Sequence, residues 1–203
     1  MAISQSAGRV VKPLVFAGCL LPLTLLVWRA ATGGLGANPI SEAIHETGDW
    51  TLRFVLLTLA VTPFSRLSGR REAAGLRRPL GLFAFFYGCL HFLTYLALDQ
   101  FFDLRAVVAD IVKRPYITVG LIGLAAMAPL AVTSTSRAFG RLGERRWKRL
   151  HELIYLTAVA GVVHYWWSVK ADLFWPQAYA ALLALLLGYR AAVAVRARRP
   201  ASF

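Results

Sequence analysis

Long apolar stretches alternate with short, basic and turn-rich connectors along this chain of 203 residues. Six of the stretches approach the ~20 residues that a helix needs to cross a bilayer. The pattern therefore predicts an all-α integral membrane protein in which six transmembrane helices form a bundle. The six stretches run approximately over residues 13–31, 50–66, 79–98, 115–133, 151–169 and 175–194.

Prolines support these boundaries. Pro79, Pro115 and Pro176 lie at or near the start of a stretch, where a missing N–H costs a helix little. Pro63 and Pro129 fall late in theirs, which predicts kinks or early ends there. The stretches and their short connectors leave no room for a soluble catalytic domain, so the chain is predicted to form one membrane domain.

The composition agrees with a membrane protein and argues against a nucleic-acid-binding one. Hydrophobic residues make up 58% of the chain and charged residues 16%, whereas about a quarter is usual in soluble domains. The net charge is nonetheless +13. A nucleic-acid-binding domain would spread its basic residues over one exposed face, but here most of them lie in the gaps between apolar stretches.

The basic residues also predict the orientation. If the N-terminus, the 66–78 connector, the 137–152 segment and the C-terminal tail share one side, that side holds 17 of the 23 Arg and Lys residues. Short basic loops stay in the cytoplasm. Both termini are therefore predicted to be cytoplasmic.

Two histidines within the stretches lie at equal predicted depth. His91 follows Pro79 by 12 residues and His164 follows His151 by 13. At about 1.5 Å per residue, both lie roughly 18–20 Å from the cytoplasmic end of parallel spans. Polar groups at such depth are costly and tend to be functional.

Neutral imidazole is a suitable axial ligand for haem iron, and facing helices of a bundle are where such cofactors bind. Gly88, beside His91, and Ala160 and Gly161, near His164, would leave room for a flat macrocycle. A hydrogen bond between helices is the alternative role for each histidine. Large aromatic side chains that could wall such a cofactor are Phe86, Tyr87, Tyr95, Tyr165 and Trp166.

The residues around these histidines also resemble a known family. The segments "GGLGANP", "IHETG", "GLRRPLGLFAFFYGCLH", "RPYITVGLIG", "TSTSRAFGRLGERRWKRLHELIYL" and "HYWWSVK" are similar, in this order, to the bacterial MsrQ family, formerly YedZ. That family belongs to the ferric-reductase-like transmembrane group. The resemblance implies one ferric-reductase-like haem-binding domain over 1–203, with b-type haem and flavin mononucleotide (FMN) as cofactors.

The resemblance also implies a function and partners. MsrQ proteins are multi-pass subunits of the bacterial inner membrane that transfer electrons without being catalytic themselves. The acceptor is a periplasmic molybdenum-dependent methionine sulfoxide reductase, which repairs oxidised periplasmic proteins. The donor is the quinone pool or a cytosolic flavin reductase.

Carried over by position, His91 and His164 match the haem ligands of the family. His151 matches a third family histidine. In the wider group, paired histidines on the third and fifth helices hold two stacked haems. A partner for His151 would fall at Arg77 or Arg78, and neither is a haem ligand, so one haem b is expected.

His151 then needs another role. It lies at the predicted cytoplasmic interface, either as an ordinary interfacial histidine or as part of a second cofactor site where electrons enter. Arg77, Arg78, Arg145 and Arg149 are candidates for holding a flavin phosphate nearby, because the guanidinium fork matches phosphate. The alternative is that these arginines only obey the positive-inside rule.

Other functions remain open from the residues alone. A ferric or cupric reductase would use the same haem and donate to a metal chelate. A histidine-based proton or metal transporter would usually place Asp or Glu within its spans, and none lies in the central part of any span here. His45, in the predicted first periplasmic loop, would face water, the cofactor or a partner. A purely structural membrane scaffold is a further alternative.

Overall fold

The computed structural model describes residues 2–198, which form eight α-helices and no strand. A six-residue 3₁₀ helix, Arg71–Leu76, precedes the third α-helix, and a π-helical turn, Tyr95–Asp99, follows it. The α-helices are α1 Ala2–Ala31, α2 Pro39–Leu67, α3 Arg77–Thr94, α4 Leu104–Lys113, α5 Pro115–Val132, α6 Ser136–His151, α7 Leu153–Ser168 and α8 Phe174–Arg198.

Four helical segments within the described residues are long and apolar enough to cross a membrane. They coincide with the first, third, fourth and sixth predicted stretches, so the prediction of an all-α, multi-pass membrane protein is confirmed. The other two stretches fall on α2 and on α7, which is 16 residues long. The count of six spans stays a prediction. The four segments are Pro13–Ala31, Glu72–Asp99, Pro115–Val132 and Phe174–Ala197.

The core lies between two closely packed helix pairs. Helix α2 packs most extensively on α3, and α5 on α7. Helix α8 lies against α7 and α2, and α1 lies against α2 and α3. One face of α2 is buried by these neighbours, because apolar side chains recur on it at helical spacing. That face contains Leu52, Val55, Leu56 and Leu59.

Tyr87 joins α3 to α1. Its hydroxyl donates to the carbonyl oxygen of Cys19 at 2.9 Å and accepts from the N–H of Leu23 at 3.0 Å. These two backbone groups are one helical turn apart, so the hydroxyl contributes to the hydrogen-bond ladder of α1. Tyr87 is 1% exposed and therefore serves helix packing.

Helix α2 begins earlier than predicted. The side chain of Asn38 caps it by accepting from the N–H of Ser41, and Pro39 occupies its first turn. Arg29 at the end of α1 pairs with Glu42 and with Glu46 in the opening turns of α2. The expectation that His45 lies in a loop is therefore wrong, because it lies on α2.

The chain between α5 and α7 also differs from the prediction. The basic segment folds as α6, with Gly143 at φ 72° interrupting it. Helix α6 ends at His151 and α7 begins at Leu153. The expectation that His151 shares a helix with His164 is wrong. The helix is interrupted at Glu152, where the polar, basic α6 gives way to the apolar α7.

Candidate functional site

A cavity of about 420 Å³ opens within the bundle at the end where α2 and α5 begin. Its walls come from the first half of α2, the second half of α3, the first half of α5 and the second half of α7. His91 and His164 both line it. We call it the histidine cavity, and its volume is within the usual range of small-molecule sites.

The two histidines face each other across the cavity. Their ring centres lie 6.0 Å apart with the ring planes at 80°. His91 donates from Nδ1 to the carbonyl oxygen of Ile44 at 2.9 Å, and His164 donates from Nδ1 to that of Tyr116 at 2.7 Å. With Nδ1 carrying the proton in both rings, Nε2 keeps its lone pair for a ligand.

This geometry fits one haem iron between the rings. A metal–nitrogen bond of about 2 Å on each side places the centres of two axial imidazoles roughly 6 Å apart. Metal-ligating histidines almost always donate their other ring N–H to a carbonyl or a carboxylate. His91 and His164 meet both requirements.

Small side chains leave space beside the two rings. Gly88 and Gly161 line the histidine cavity, as the sequence suggests. Ala160 does not: it lies against α5, where a Cβ on Gly123 would come 3.3 Å from that of Ala160.

Only part of the predicted aromatic wall surrounds the cavity. Tyr95 and Tyr165 line it. Phe86, Tyr87 and Trp166 do not, and these expectations are wrong, because neighbouring residues on one helix point to different faces. Tyr87 points to α1, and Phe86 and Trp166 are 41% and 36% exposed. The aromatic side chains that sequence reasoning missed are those of Phe92 and Tyr116.

Polar groups surround the mouth of the histidine cavity. Tyr95 donates to Asp110 at 3.0 Å, and Arg114 pairs with the same carboxylate at 2.9 Å. These contacts fasten the short helix α4 beside the mouth, a helix that the apolar pattern of the chain did not predict. The exposed His45 also lines this cavity.

A second, larger cavity of about 1040 Å³ lies at the opposite end of the bundle. Met127, 5% exposed, lines both cavities and so stands between them. We call the second one the arginine cavity, because its lining is strongly basic and includes one acidic residue, Glu152. Its basic residues besides histidine are Arg66, Arg77, Arg78, Lys148 and Arg190.

His151 belongs to the arginine cavity. Its ring stacks on Trp147 at 3.8 Å between centres, and its Nε2 lies 3.1 Å from the Thr133 hydroxyl. The indole N–H of Trp147 donates to the Thr133 carbonyl oxygen. His151 thus lines the same cavity as Arg77 and Arg78, residues that lie far from it in sequence.

Only two of the four arginines that the sequence offered for a flavin phosphate line the arginine cavity. Arg145 and Arg149 are not among the residues that line the arginine cavity, because they project from other faces of the amphipathic α6. Arg66 on α2 and Arg190 on α8 do line it, and sequence reasoning missed both. A positive charge late in an apolar span was the available signal for Arg190.

The chain is similar to a known protein family and to named bacterial proteins. Residues 47–162 match the family described as ferric reductase like transmembrane component. A protein of Rhodospirillum rubrum, named protein-methionine-sulfoxide reductase heme-binding subunit MsrQ, is 50% identical over 98% of this chain and 95% of its own length. A protein of the same name from Herminiimonas arsenicoxydans is 48% identical over 87% of this chain and 82% of its own.

The matches extend over all parts of both cavities. The family match includes His91, His151 and most of the walls around them, and the Rhodospirillum rubrum relative covers nearly the whole chain. The chain therefore belongs to the MsrQ family, within the ferric-reductase-like transmembrane group.

Proposed function

We propose that this protein is a membrane electron-transfer subunit that holds one haem b between His91 and His164 and serves a methionine sulfoxide reductase. The observation that carries the proposal is the facing pair of imidazoles, 6.0 Å between centres, each with its Nδ1 bound to a backbone carbonyl. The names of the relatives support both the haem and the reductase.

Haem b, when bound, would supply a one-electron couple inside the bilayer. The chain's own contribution is to hold and orient the ligands. The carbonyl oxygens of Ile44 and Tyr116 fix the tautomer and direction of each ring. The apolar walls exclude water, which lowers the local dielectric constant and helps set the potential of a bound redox group.

The arginine cavity is proposed as the second cofactor site, with FMN as its ligand. Arg77 and Arg78 would hold the phosphate, since guanidinium groups bind phosphate through paired N–H donors. His151, stacked on Trp147, would contact the flavin. The concentration of positive charge around a cavity of about 1040 Å³ supports an anionic ligand.

The proposed topology places six spans in the bacterial inner membrane with both termini in the cytoplasm. The arginine cavity then faces the cytoplasm, where the quinone pool or a cytosolic flavin reductase supplies electrons. The histidine cavity opens toward the periplasm, where the molybdenum-dependent reductase docks. Fusions of a periplasm-active and a cytoplasm-active reporter after α1 and after α8 test this orientation. We expect periplasmic activity after α1 and cytoplasmic activity after α8. A periplasmic C-terminus would overturn the proposal.

An absorption spectrum of purified protein tests the haem. Wild-type protein is expected to show a Soret band and low-spin reduced bands, and His91→Ala and His164→Ala each to lose the low-spin signature. His151→Ala is the matched control, because it lies in the other cavity and should keep that signature. A wild-type protein without a Soret band, or spectra unchanged in both substitutions, would refute the proposal.

A ferric or cupric reductase is the alternative, since the family description fits that chemistry too. Reduced protein in membranes can be offered a methionine sulfoxide reductase or a ferric chelate. We expect fast haem reoxidation by the reductase with its sulfoxide substrate and slow reoxidation by the chelate. The reverse order would favour the alternative.

A further inference from the structure

His91 and His164 are held in the same way by different helices. The carbonyl that accepts from His91 belongs to Ile44 on α2, four residues before Gly48. The carbonyl that accepts from His164 belongs to Tyr116 on α5, four residues before Gly120. One helical turn separates acceptor and glycine in both cases, so each imidazole lies across one turn of a neighbouring helix.

Neither glycine has room for a side chain. A Cβ on Gly48 would lie 3.0 Å from both Cε1 and Nδ1 of His91. A Cβ on Gly120 would lie 2.7 Å from Nδ1 and 2.9 Å from Cε1 of His164. Since carbon atoms pack at about 3.5–4.0 Å, alanine at either position would push the imidazole away from its carbonyl.

Three other glycines line the cavity, and the nearest neighbours of their Cβ positions are not imidazoles. A Cβ on Gly123 would lie 3.3 Å from that of Ala160. A Cβ on Gly161 would meet the Leu52 Cδ1 atom at 3.3 Å, and one on Gly88 would meet the ends of Met127 and Leu124. Those are the tips of flexible side chains that can move aside. An imidazole can move aside only by weakening the Nδ1 hydrogen bond to its carbonyl. Close contact between a Cβ position and an imidazole is therefore found at Gly48 and Gly120, in the helix turns that hold the histidines.

We propose that Gly48 and Gly120 are positioning residues that set the orientation and ligand strength of His91 and His164. This inference rests on the proposed haem function. The absent Cβ lets each ring approach the helix closely enough for Nδ1 to donate to the carbonyl one turn earlier. That bond directs Nε2 into the cavity and raises the basicity of the ligand nitrogen.

Gly120→Ala and Gly48→Ala test the proposal, with Gly188→Ala as the control. Gly188 lies on α8 with nothing within 4 Å of its Cβ position. In Gly120→Ala, we expect the fraction of haem that binds carbon monoxide to be several-fold larger than in wild type, because the bond between His164 and the iron would weaken. The midpoint potential of its haem should rise. An imidazole with a weaker Nδ1 hydrogen bond is less basic and donates less electron density to the iron. Gly48→Ala should show the same changes to a smaller extent.

A second measurement separates positioning from helix packing. In His164→Gly protein, added imidazole should restore the low-spin spectrum. A free imidazole is not tied to α7, so Gly120→Ala in this background should be restored equally well. Failure of restoration only in the double variant would show that Gly120 acts through helix packing and would overturn the proposal.

The other outcomes are equally decisive. Suppose that wild type binds haem and that Gly120→Ala has the same carbon monoxide reactivity and midpoint potential as wild type. Gly120 then does not position His164, and the inference fails while the haem assignment stands. If wild type binds no haem, the proposed function itself fails. If Gly120→Ala does not accumulate in membranes, the same spectra of Gly48→Ala and of the imidazole-restored variants decide whether the inference holds.

Discussion

Arg190 on α8 donates from Nη2 to the carbonyl oxygen of Leu59 on α2 at 2.7 Å. That carbonyl has no helical partner, because Pro63, four residues later, lacks an N–H. The guanidinium also reaches the Thr62 hydroxyl at 3.2 Å. An arginine in one apolar span thus satisfies the backbone defect that a proline makes in another.

We expect Arg190→Gln to destabilise the protein by about 1–3 kcal/mol, the usual cost of leaving a buried acceptor unpaired. Pro63→Ala returns an N–H to Leu59, so the same substitution should cost much less in that background. Unfolding of the detergent-solubilised protein measures both, with the exposed Arg196→Gln as control. Equal costs in the two backgrounds would show that Arg190 and Pro63 are not coupled.

The proposed FMN site predicts different effects for two arginines at the basic end of the bundle. Arg77 lines the arginine cavity, whereas Arg145 does not. We expect Arg77→Gln to lower the flavin content per protein several-fold and Arg145→Gln to leave it unchanged. Flavin fluorescence after denaturation gives the content. A matching loss in both variants would mean that general positive charge, and not the cavity, retains the flavin.

Helix α4 should depend on one carboxylate. Asp110 is 9% exposed, accepts from Tyr95 and pairs with Arg114. Tyr95→Phe should weaken the attachment of α4 by about 1.5–3 kcal/mol, because the lost bond goes to a charged acceptor. Faster hydrogen exchange over residues 104–113 is the expected sign.

The control for α4 is a double substitution. Once Asp110→Asn has removed the charge, Tyr95→Phe should have a smaller effect on exchange. If exchange in α4 is unchanged in Tyr95→Phe, this hydroxyl does not fasten the helix.

Acid should release the connector between α1 and α2. The Gly36 N–H donates to the Glu42 carboxylate at 2.7 Å, and with Arg29 nearby it holds the pKa of Glu42 below its ordinary value of 4.5. The lowered pKa means that the ionised group stabilises the folded connector above pH 4.5, and this contribution disappears as the pH falls through the lower folded value.

The Gly36 amide signal in isotope-labelled protein reports this titration. It should shift with an apparent pKa below 4.5 in wild type and stay constant in Glu42→Gln. Gly69, in a distant turn, serves as the reference. A Gly36 signal that titrates equally in both proteins would exclude Glu42 as the group responsible.

The meeting of His91 and His164 at one level of the bundle could be derived from the sequence, because helical rise per residue is a local property. The sequence likewise predicts that the arginines of the basic connectors share one side of the membrane, and this stays a prediction. The walls of the histidine cavity could not be assigned fully. Tyr87 faces α1 and Tyr116 faces the cavity, and rotation of a helix that is apolar on all sides leaves little trace in its sequence.

By itself, then, the sequence determined the all-α membrane class, the four segments long and apolar enough to cross a bilayer, and the shared level of two histidines in the bundle. Each follows from hydrophobicity and local helix geometry. Tertiary structure alone decided that Gly48 and Gly120 admit the rings and that His151 shares a cavity with Arg77. Those relationships join residues on different helices. Packing of one helix against another fixes them, and no local pattern encodes that packing.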